Sequence, residues 1–233
     1  MPAISLPGLV LAFLPAAIVI GIMLRWRAGA GTAAWATLRM LVQLLLIGYV
    51  LIFIFETDSW LVIGAVLVVM LTVSSWIAIR TLGRRTLRDY IRALVAIAAG
   101  GVSTLSIVTQ FVIAIEPWFA PRYVVPLAGM IFAGSMNAVS LAAERFRAER
   151  SRGEEPAACR HAAFQAALIP MVNSLFAVGL VSLPGMMTGQ ILSGVSPIIA
   201  AQYQIVVMTM LFGATGISAA TYLALPDRDR AGA

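Results

Sequence analysis

The sequence predicts an all-α, polytopic membrane protein, because it is strongly apolar, poor in charge and divided into long uncharged stretches. Hydrophobic residues make up 61% of the 233 residues and charged residues only 11%, far from the balance of a soluble domain. We expect one transmembrane domain over residues 1–233, embedded in a lipid bilayer. About seven spans are predicted, at residues 6–24, 38–55, 60–79, 93–115, 123–143, 166–192 and 198–225.

The arginines predict the orientation of these spans, because cytoplasmic segments near span ends collect basic residues. With the N-terminus outside and the C-terminus in the cytoplasm, the outside segments hold only Arg122. A net charge of +6 could indicate nucleic-acid binding, but the one-sided placement of the arginines indicates membrane orientation. No nucleic-acid partner is therefore expected. The arginines on the cytoplasmic side are Arg25, Arg27, Arg39, Arg80, Arg84, Arg85, Arg88, Arg92, Arg145, Arg147, Arg150, Arg152, Arg160, Arg228 and Arg230.

The sixth predicted span is broken by proline and glycine. Residues 166–197 carry no charge and form a run longer than the roughly 20 residues of a straight span. Two crossings would move Arg228 and Arg230 outside, so we expect one crossing with a kinked or partly re-entrant outer half. Such breaks persist where protein or a water-filled cavity surrounds them, and transporters place binding sites there. The interrupting residues are Pro170, Gly179, Pro184, Gly185, Gly189 and Gly194.

No enzyme activity and no bound cofactor are expected. The sequence lacks a phosphate-binding loop, a dinucleotide fingerprint and the HExxH and CxxC metal motifs. All ten acidic residues fall at span ends or in loops, which leaves no intramembrane carboxylate to carry a coupling proton. His161 is expected to be solvated, and Cys159 has no second cysteine to pair with. An energy source outside this chain is therefore the simplest expectation.

Polar and thioether side chains inside the predicted spans are the candidate path or gate residues. One predicted helical face, if the stretch is helical, consists of Ser182, Met186, Gln190 and Ser193. Pro184–Gly185 is the predicted hinge. Hydrogen bonding between helices and adaptable methionine packing remain the structural alternatives. The complete candidate set is Met130, Asn137, Asn173, Ser182, Pro184, Gly185, Met186, Met187 and Gln190.

Residues 144–165 form the longest polar segment, which we expect to be a cytoplasmic loop. Two interpretations stay open: a solvated connector that faces lipid headgroups, or a docking element for a cytoplasmic partner.

Several stretches resemble the permease subunits of Fet-type bacterial iron exporters, a family that includes plant membrane proteins linked to aluminium tolerance. The resemblance covers nearly the whole chain and is densest over 124–212. The most specific stretch is residues 178–189, VGLVSLPGMMTG. Others are residues 41–51 (LVQLLLIGYVL), 125–131 (VPLAGMI), 167–170 (ALIP) and 200–210 (AAQYQIVVMTM).

The resemblance implies the permease of an ABC transporter in the bacterial inner membrane, working as a homodimer with a separate cytoplasmic ATPase subunit that binds ATP. Iron or a related metal is the implied cargo for export, with its ligands unknown. Family members often carry Gly-Ala-Thr-Pro before the sixth span, whereas this chain has Gly153, Glu154, Glu155 and Pro156. These four residues are the candidate ATPase-docking element.

Two other functions are consistent with the residues alone. A self-contained channel or facilitator for a cation or small solute would need no partner. A membrane scaffold would recruit cytoplasmic partners through its arginine-rich segments without transport.

Overall fold

Helices make up the regular structure of the computed structural model, which describes residues 5–82 and 85–225; no strand occurs in those ranges. The predicted all-α class is confirmed. Arg84, Arg228 and Arg230, which entered the orientation prediction, lie outside the described residues. The α-helices are α1 Leu6–Leu11, α2 Leu14–Arg25, α3 Ala30–Phe55, α4 Trp60–Ala78, α5 Leu87–Ile107, α6 Pro121–Ser151, α7 Pro156–Ala177, α8 Gly185–Leu192 and α9 Pro197–Ala224.

Six stretches of the described chain are long and apolar enough to cross a membrane, so the multi-pass class is confirmed but the predicted count of seven is not. The difference lies in the sixth predicted span, 166–192, which is divided between α7 and α8. α7 begins with polar residues, including Arg160 and His161, and these lower its hydropathy. The six stretches are Leu6–Arg25, Ala30–Phe55, Trp60–Thr81, Leu87–Val112, Pro121–Ser151 and Pro197–Ala224.

The chain divides into two compact units, Met1–Glu56 and Thr57–Ala233. In the first unit, α2 packs against α3, and most of its described apolar side chains are exposed, as expected of helices that face lipid. That residues 1–233 work as one transmembrane domain remains a prediction.

The second unit is built around α5, α6 and α9, which pack against one another. α4 and α7 lie against α6, while α8 packs on α9. Small residues recur at helical spacing on the buried face of α5, where Ala93, Ala96 and Gly100 are followed by Thr104. Small side chains let membrane helices approach closely, which favours their association where lipid removes the hydrophobic driving force.

The closest approach is between α5 and α9 at Gly100. A Cβ atom at this position would lie 2.6 Å from the carbonyl oxygen of Ala214 and 2.7 Å from the amide nitrogen of Ser218. Real side chains do not tolerate such distances, and the obstructing atoms are the hydroxyl oxygen of Ser218 and these two backbone atoms. Glycine at 100 therefore sets the separation of these two helices.

Polar contacts join the same three helices at their ends and at their centre. The hydroxyl of Ser135 on α6 donates to the carbonyl oxygen of Ala214 at 3.3 Å. Asp89 is buried in the first turn of α5, where it forms a capping box with Thr86 and an ion pair of 3.0 Å with Arg147 of α6. The first turn of α5 is thereby tied to the last turns of α6.

Arg92 of α5 holds the end of α9. Its guanidinium donates to the carbonyl oxygens of Tyr222 and Leu225, at 3.3 and 3.1 Å, and lies 4.8 Å from the centre of the Tyr222 ring. A cation at a helix C-terminus satisfies carbonyl groups that have no partner within the helix.

Gly100→Ala is expected to destabilise the protein by about 1–3 kcal/mol, because α5 and α9 must separate to admit the methyl group. Thermal unfolding of the detergent-solubilised chain measures this change. Gly216→Ala is the matched control, since a Cβ atom at that α9 position meets nothing within 4 Å. Equal melting temperatures for the two variants would contradict the close-packing account.

Candidate functional site

The helix break predicted in the sixth span lies between α7 and α8, at residues 178–184. The amide N–H groups of Val181 and Ser182 both donate to the carbonyl oxygen of Ala177, at 2.8 and 3.1 Å. The N–H of Gly179 donates to the carbonyl oxygen of Ser182 at 2.9 Å, and Gly179 adopts a φ of +83°. The turn thus satisfies much of its own backbone, which makes a break tolerable at membrane depth.

A second turn ends α8 with the hydrogen bonds of a Schellman motif. The N–H of Val195 donates to the carbonyl oxygen of Gln190 and that of Gly194 to Ile191, both at 3.0 Å, with Gly194 at a φ of +92°. α8 is therefore a short helix held between two turns. Because it begins only at Gly185, the expectation that Ser182 shares a helical face with Met186 and Gln190 is wrong.

The break borders a cavity of about 360 Å³ between α7, α8 and α9. Met187 is the one residue of the predicted set that lines it. Gln204 and Met208, one helical turn apart on α9, were not predicted. The complete lining is Leu175, Val178, Gly179, Met187, Ala201, Gln204, Ile205, Met208 and Thr209.

Gln204 and Thr209 are the polar residues that line this cavity, and Gln190 lies nearby on α8. Gln204 is only 6% exposed, and its Oε1 accepts no hydrogen bond within the described part of the chain. The Oε1 of Gln190 on α8 is likewise buried without a donor among the described residues. Thr209 already donates its hydroxyl to the carbonyl oxygens of Ile205 and Val206. In this region the buried acceptors without a partner are therefore the two amide oxygens, while the exposed Thr209 hydroxyl keeps lone pairs that can accept.

A smaller cavity of about 140 Å³ lies between α6, α7 and α9. It is where the structure brings the predicted Asn137 near Ser174 and Thr215, which are hydroxyl-bearing residues outside the predicted set. Ser174 donates to the carbonyl oxygen of Pro170 at 2.9 Å and Thr215 to that of Leu211 at 2.8 Å. Both hydroxyl oxygens keep lone pairs available to accept hydrogen bonds.

The remaining predicted residues do not join these two cavities. Met130, Asn173, Ser182 and Met186 are not among the residues that line either one. Pro184 precedes α8 as its N-cap residue, and Gly185 is the first residue of that helix. Of the predicted set, therefore, only Met187 lines the larger cavity and only Asn137 the smaller one.

The donor set of this region suits neutral chemistry. Within residues 5–82 and 85–225, no group of three or more His, Cys, Asp or Glu side chains could hold a metal ion. The cavities offer amide oxygens, hydroxyls and thioethers. A metal that passed here as cargo would meet neutral ligands only.

The segment 144–165, predicted as a loop, is largely helical. α6 continues to Ser151 and α7 begins at Pro156, so only residues 152–155 connect them. Gly153 ends α6 at a φ of +87°, with its N–H donating to the carbonyl oxygen of Arg150 at 3.1 Å. Pro156 occupies the first turn of α7, where its missing N–H has no cost. Glycine and proline therefore have structural reasons to be here.

The connection is fixed through its backbone and leaves its carboxylates exposed. The carbonyl oxygen of Glu154 accepts from the guanidinium of Arg150 at 2.9 Å and from the buried thiol of Cys159 at 3.5 Å. The side chains of Glu154 and Glu155 lie on exposed residues. The turn presents two negative charges on a rigid support, while its role in docking remains a prediction.

Comparison with known proteins identifies the family. The model of the family described as "Uncharacterised protein family (UPF0014)" matches residues 6–229. The UPF0014 membrane protein slr1647 of Synechocystis is 34% identical over 227 residues, covering 88% of this chain and 84% of that protein.

Two further relatives carry functional names. The Escherichia coli "Probable iron export permease protein FetB" is 32% identical over 199 residues, covering 79% of this chain and 75% of that protein. The Arabidopsis "Protein ALUMINUM SENSITIVE 3" is 31% identical over 220 residues, covering 84% and 77%. No solved structure matches. This chain belongs to the UPF0014 family of membrane proteins, the family that the sequence resemblance indicated.

Proposed function

We propose that this chain is the permease subunit of an ABC transporter that exports iron or a related metal, driven by ATP that a separate subunit hydrolyses. The observation that carries this proposal is the 32% identity over 199 residues to a protein named as an iron export permease. The sequence lacks any ATP-binding motif, which is consistent with a partner that supplies the energy.

The proposed topology has seven crossings, with the N-terminus outside and the C-terminus in the cytoplasm of a bacterial inner membrane. α7 has 22 residues and is about 33 Å long, close to the roughly 30 Å of a hydrocarbon core. We assign α7 the sixth crossing, with Arg160 at the cytoplasmic headgroups. The 178–184 turn and α8 would then form the re-entrant outer part.

The proposed mechanism is alternating access in a homodimer of permease chains with two ATPase subunits. ATP binding and hydrolysis would bias inward-facing against outward-facing states. The 178–184 turn and α8 are the proposed moving element, because α8 buries none of its residues and is bounded by glycine turns on both sides. Of the predicted residues, Met187 and Gln190 lie on the moving element itself, and Asn137 lines the smaller cavity.

The cargo must pass without charged ligands in the region of the cavities. Iron binds carboxylate and imidazole ligands well, and neither type lines the two cavities between α6, α7, α8 and α9. We therefore propose transient passage over the amide, hydroxyl and thioether groups of the smaller α6–α7–α9 cavity, or transport of iron within a chelate. Weak binding by neutral ligands would allow the iron to leave the path quickly.

Iron flux into vesicles tests the function directly. Vesicles that contain this chain with its ATPase partner are expected to move iron only when ATP is supplied, and vesicles that contain the chain alone are expected to move none. Flux through the chain alone would instead establish a channel or facilitator. Partner binding without flux in any condition would establish a scaffold.

Charge reversal at the α6–α7 turn tests the docking element. Glu154→Arg combined with Glu155→Arg is expected to abolish co-purification of the ATPase, because it replaces two exposed negative charges and leaves the backbone bonds of the turn in place. Glu144→Arg is the matched control, an exposed residue on α6 outside the turn. Co-purification that survives the double change would place the docking surface elsewhere.

Two alanine substitutions locate the flexible point of the break. A Cβ atom meets nothing within 4 Å at either Gly179 or Gly185, but only Gly179 has a positive φ. Gly179→Ala should cost about 1 kcal/mol of strain and lower ATP-dependent flux about fivefold, whereas Gly185→Ala should transport normally. If Gly185→Ala lowered ATP-dependent flux more than Gly179→Ala at equal expression, the hinge would lie at Pro184–Gly185.

A further inference from the structure

The α7–α8–α9 cavity has the size and walls of a small-molecule site. Its volume of about 360 Å³ lies within the roughly 300–1,000 Å³ of typical ligand pockets. Aliphatic or thioether side chains form most of the wall, including Leu175, Val178, Met187, Ile205 and Met208. Such a wall favours a ligand with an apolar body, and the two methionines can adapt to its shape.

The cavity wall carries no charge. None of the nine lining residues is acidic, basic or histidine. An ion transferred from water into this space would lose its hydration without a compensating partner, whether it were a bare metal cation or a phosphate headgroup. The occupant that the wall favours is therefore neutral.

Gln204 is the reason why the ligand should carry a hydrogen-bond donor. Its side chain is almost fully buried, and its Oε1 accepts no hydrogen bond from the described residues. Buried carbonyl oxygens are nearly always paired, because an unsatisfied one destabilises the structure. Gln204 lines the cavity, so its amide is within reach of a ligand there, and a ligand hydroxyl would satisfy this oxygen.

The mouth of the cavity is apolar as well. Ile205 on its rim is 64% exposed, and Leu180 in the adjoining turn is 90% exposed. Exposed apolar surface on a membrane-spanning protein is where apolar partners bind, so this mouth offers a route of entry to a molecule dissolved in the bilayer.

We infer that this cavity binds a neutral, membrane-soluble molecule with an apolar body and one hydroxyl group, which donates a hydrogen bond to Gln204. This inference goes beyond the proposed iron export and does not rest on it. It makes the cavity a site for a lipid-phase alcohol, and it separates that site from the route of any metal cargo.

Photo-crosslinking with a dodecanol that carries an alkyl diazirine tests the inference in lipid nanodiscs that contain the full chain. Crosslinks in wild-type protein are expected at the cavity wall formed by residues 175–187 and 201–209. Gln204→Met keeps the side-chain length and removes the amide, so apparent affinity should fall about tenfold, the effect of one buried hydrogen bond. Gln202→Met, an exposed position on the same helix, is the matched control and should leave binding unchanged.

A measurement on wild-type protein keeps the test independent of variant folding. The methyl ether of dodecanol has the same apolar body without the donor, and it should compete against the probe about tenfold more weakly than dodecanol does. Equal competition by the ether, or crosslinks spread evenly over the lipid-facing surface, would overturn the inference. So would protection of the cavity by ferrous ion alone. Because neither ATP nor the ATPase takes part, a failure here is distinguishable from a failure of iron flux.

Discussion

The close contact of α5 with α9 at Gly100 is the constraint on which the second unit depends. Lipid is as apolar as the helix surfaces, so helices in a membrane associate through close packing and hydrogen bonds. Gly100 allows the backbone of α9 at Ala214 and Ser218 to come within contact distance, and Ser135 adds a hydrogen bond from α6 to the same Ala214. α9 positioned in this way forms one wall of both cavities.

The buried core of α5, α6 and α9 differs from α8, which is less buried. α5, α6 and α9 bury many residues against one another, whereas α8 buries none and ends in glycine turns whose hydrogen bonds are local. Elements that move in function are drawn from the least stable parts of a structure. A rigid wall on α9 facing a loosely held α8 is an arrangement that can open and close a cavity without disturbing the core.

The sequence was sufficient for features that depend on local chemistry. Apolar runs located the long helices, and Gly179, Pro184 and Gly194 mark the turns on either side of α8. Pro170 and Gly189, expected to interrupt the same span, lie inside α7 and α8. The predicted span 93–115 begins after the start of α5, although Thr86 and Asp89 carry a capping-box signal. The charge of residues 144–165 predicts a loop and conceals two helix ends. Gln204 could not be recognised as a site residue from the sequence, because it lies in an unbroken apolar helix. Only the packing of α7 and α8 against α9 forms the cavity that Gln204 lines. The available signal was the pair of amides in the last span, Gln202 and Gln204.

The proposed transport mechanism requires a rigid α5–α6–α9 core and a segment at 178–195 that moves. Hydrogen–deuterium exchange of the assembled transporter, with and without trapped ATP, tests this most directly. We expect exchange to change within residues 178–195 and to stay slow and unchanged around Gly100, Ser135 and Ala214. Exchange that changes along the α5–α9 contact while 178–195 stays constant would contradict the account.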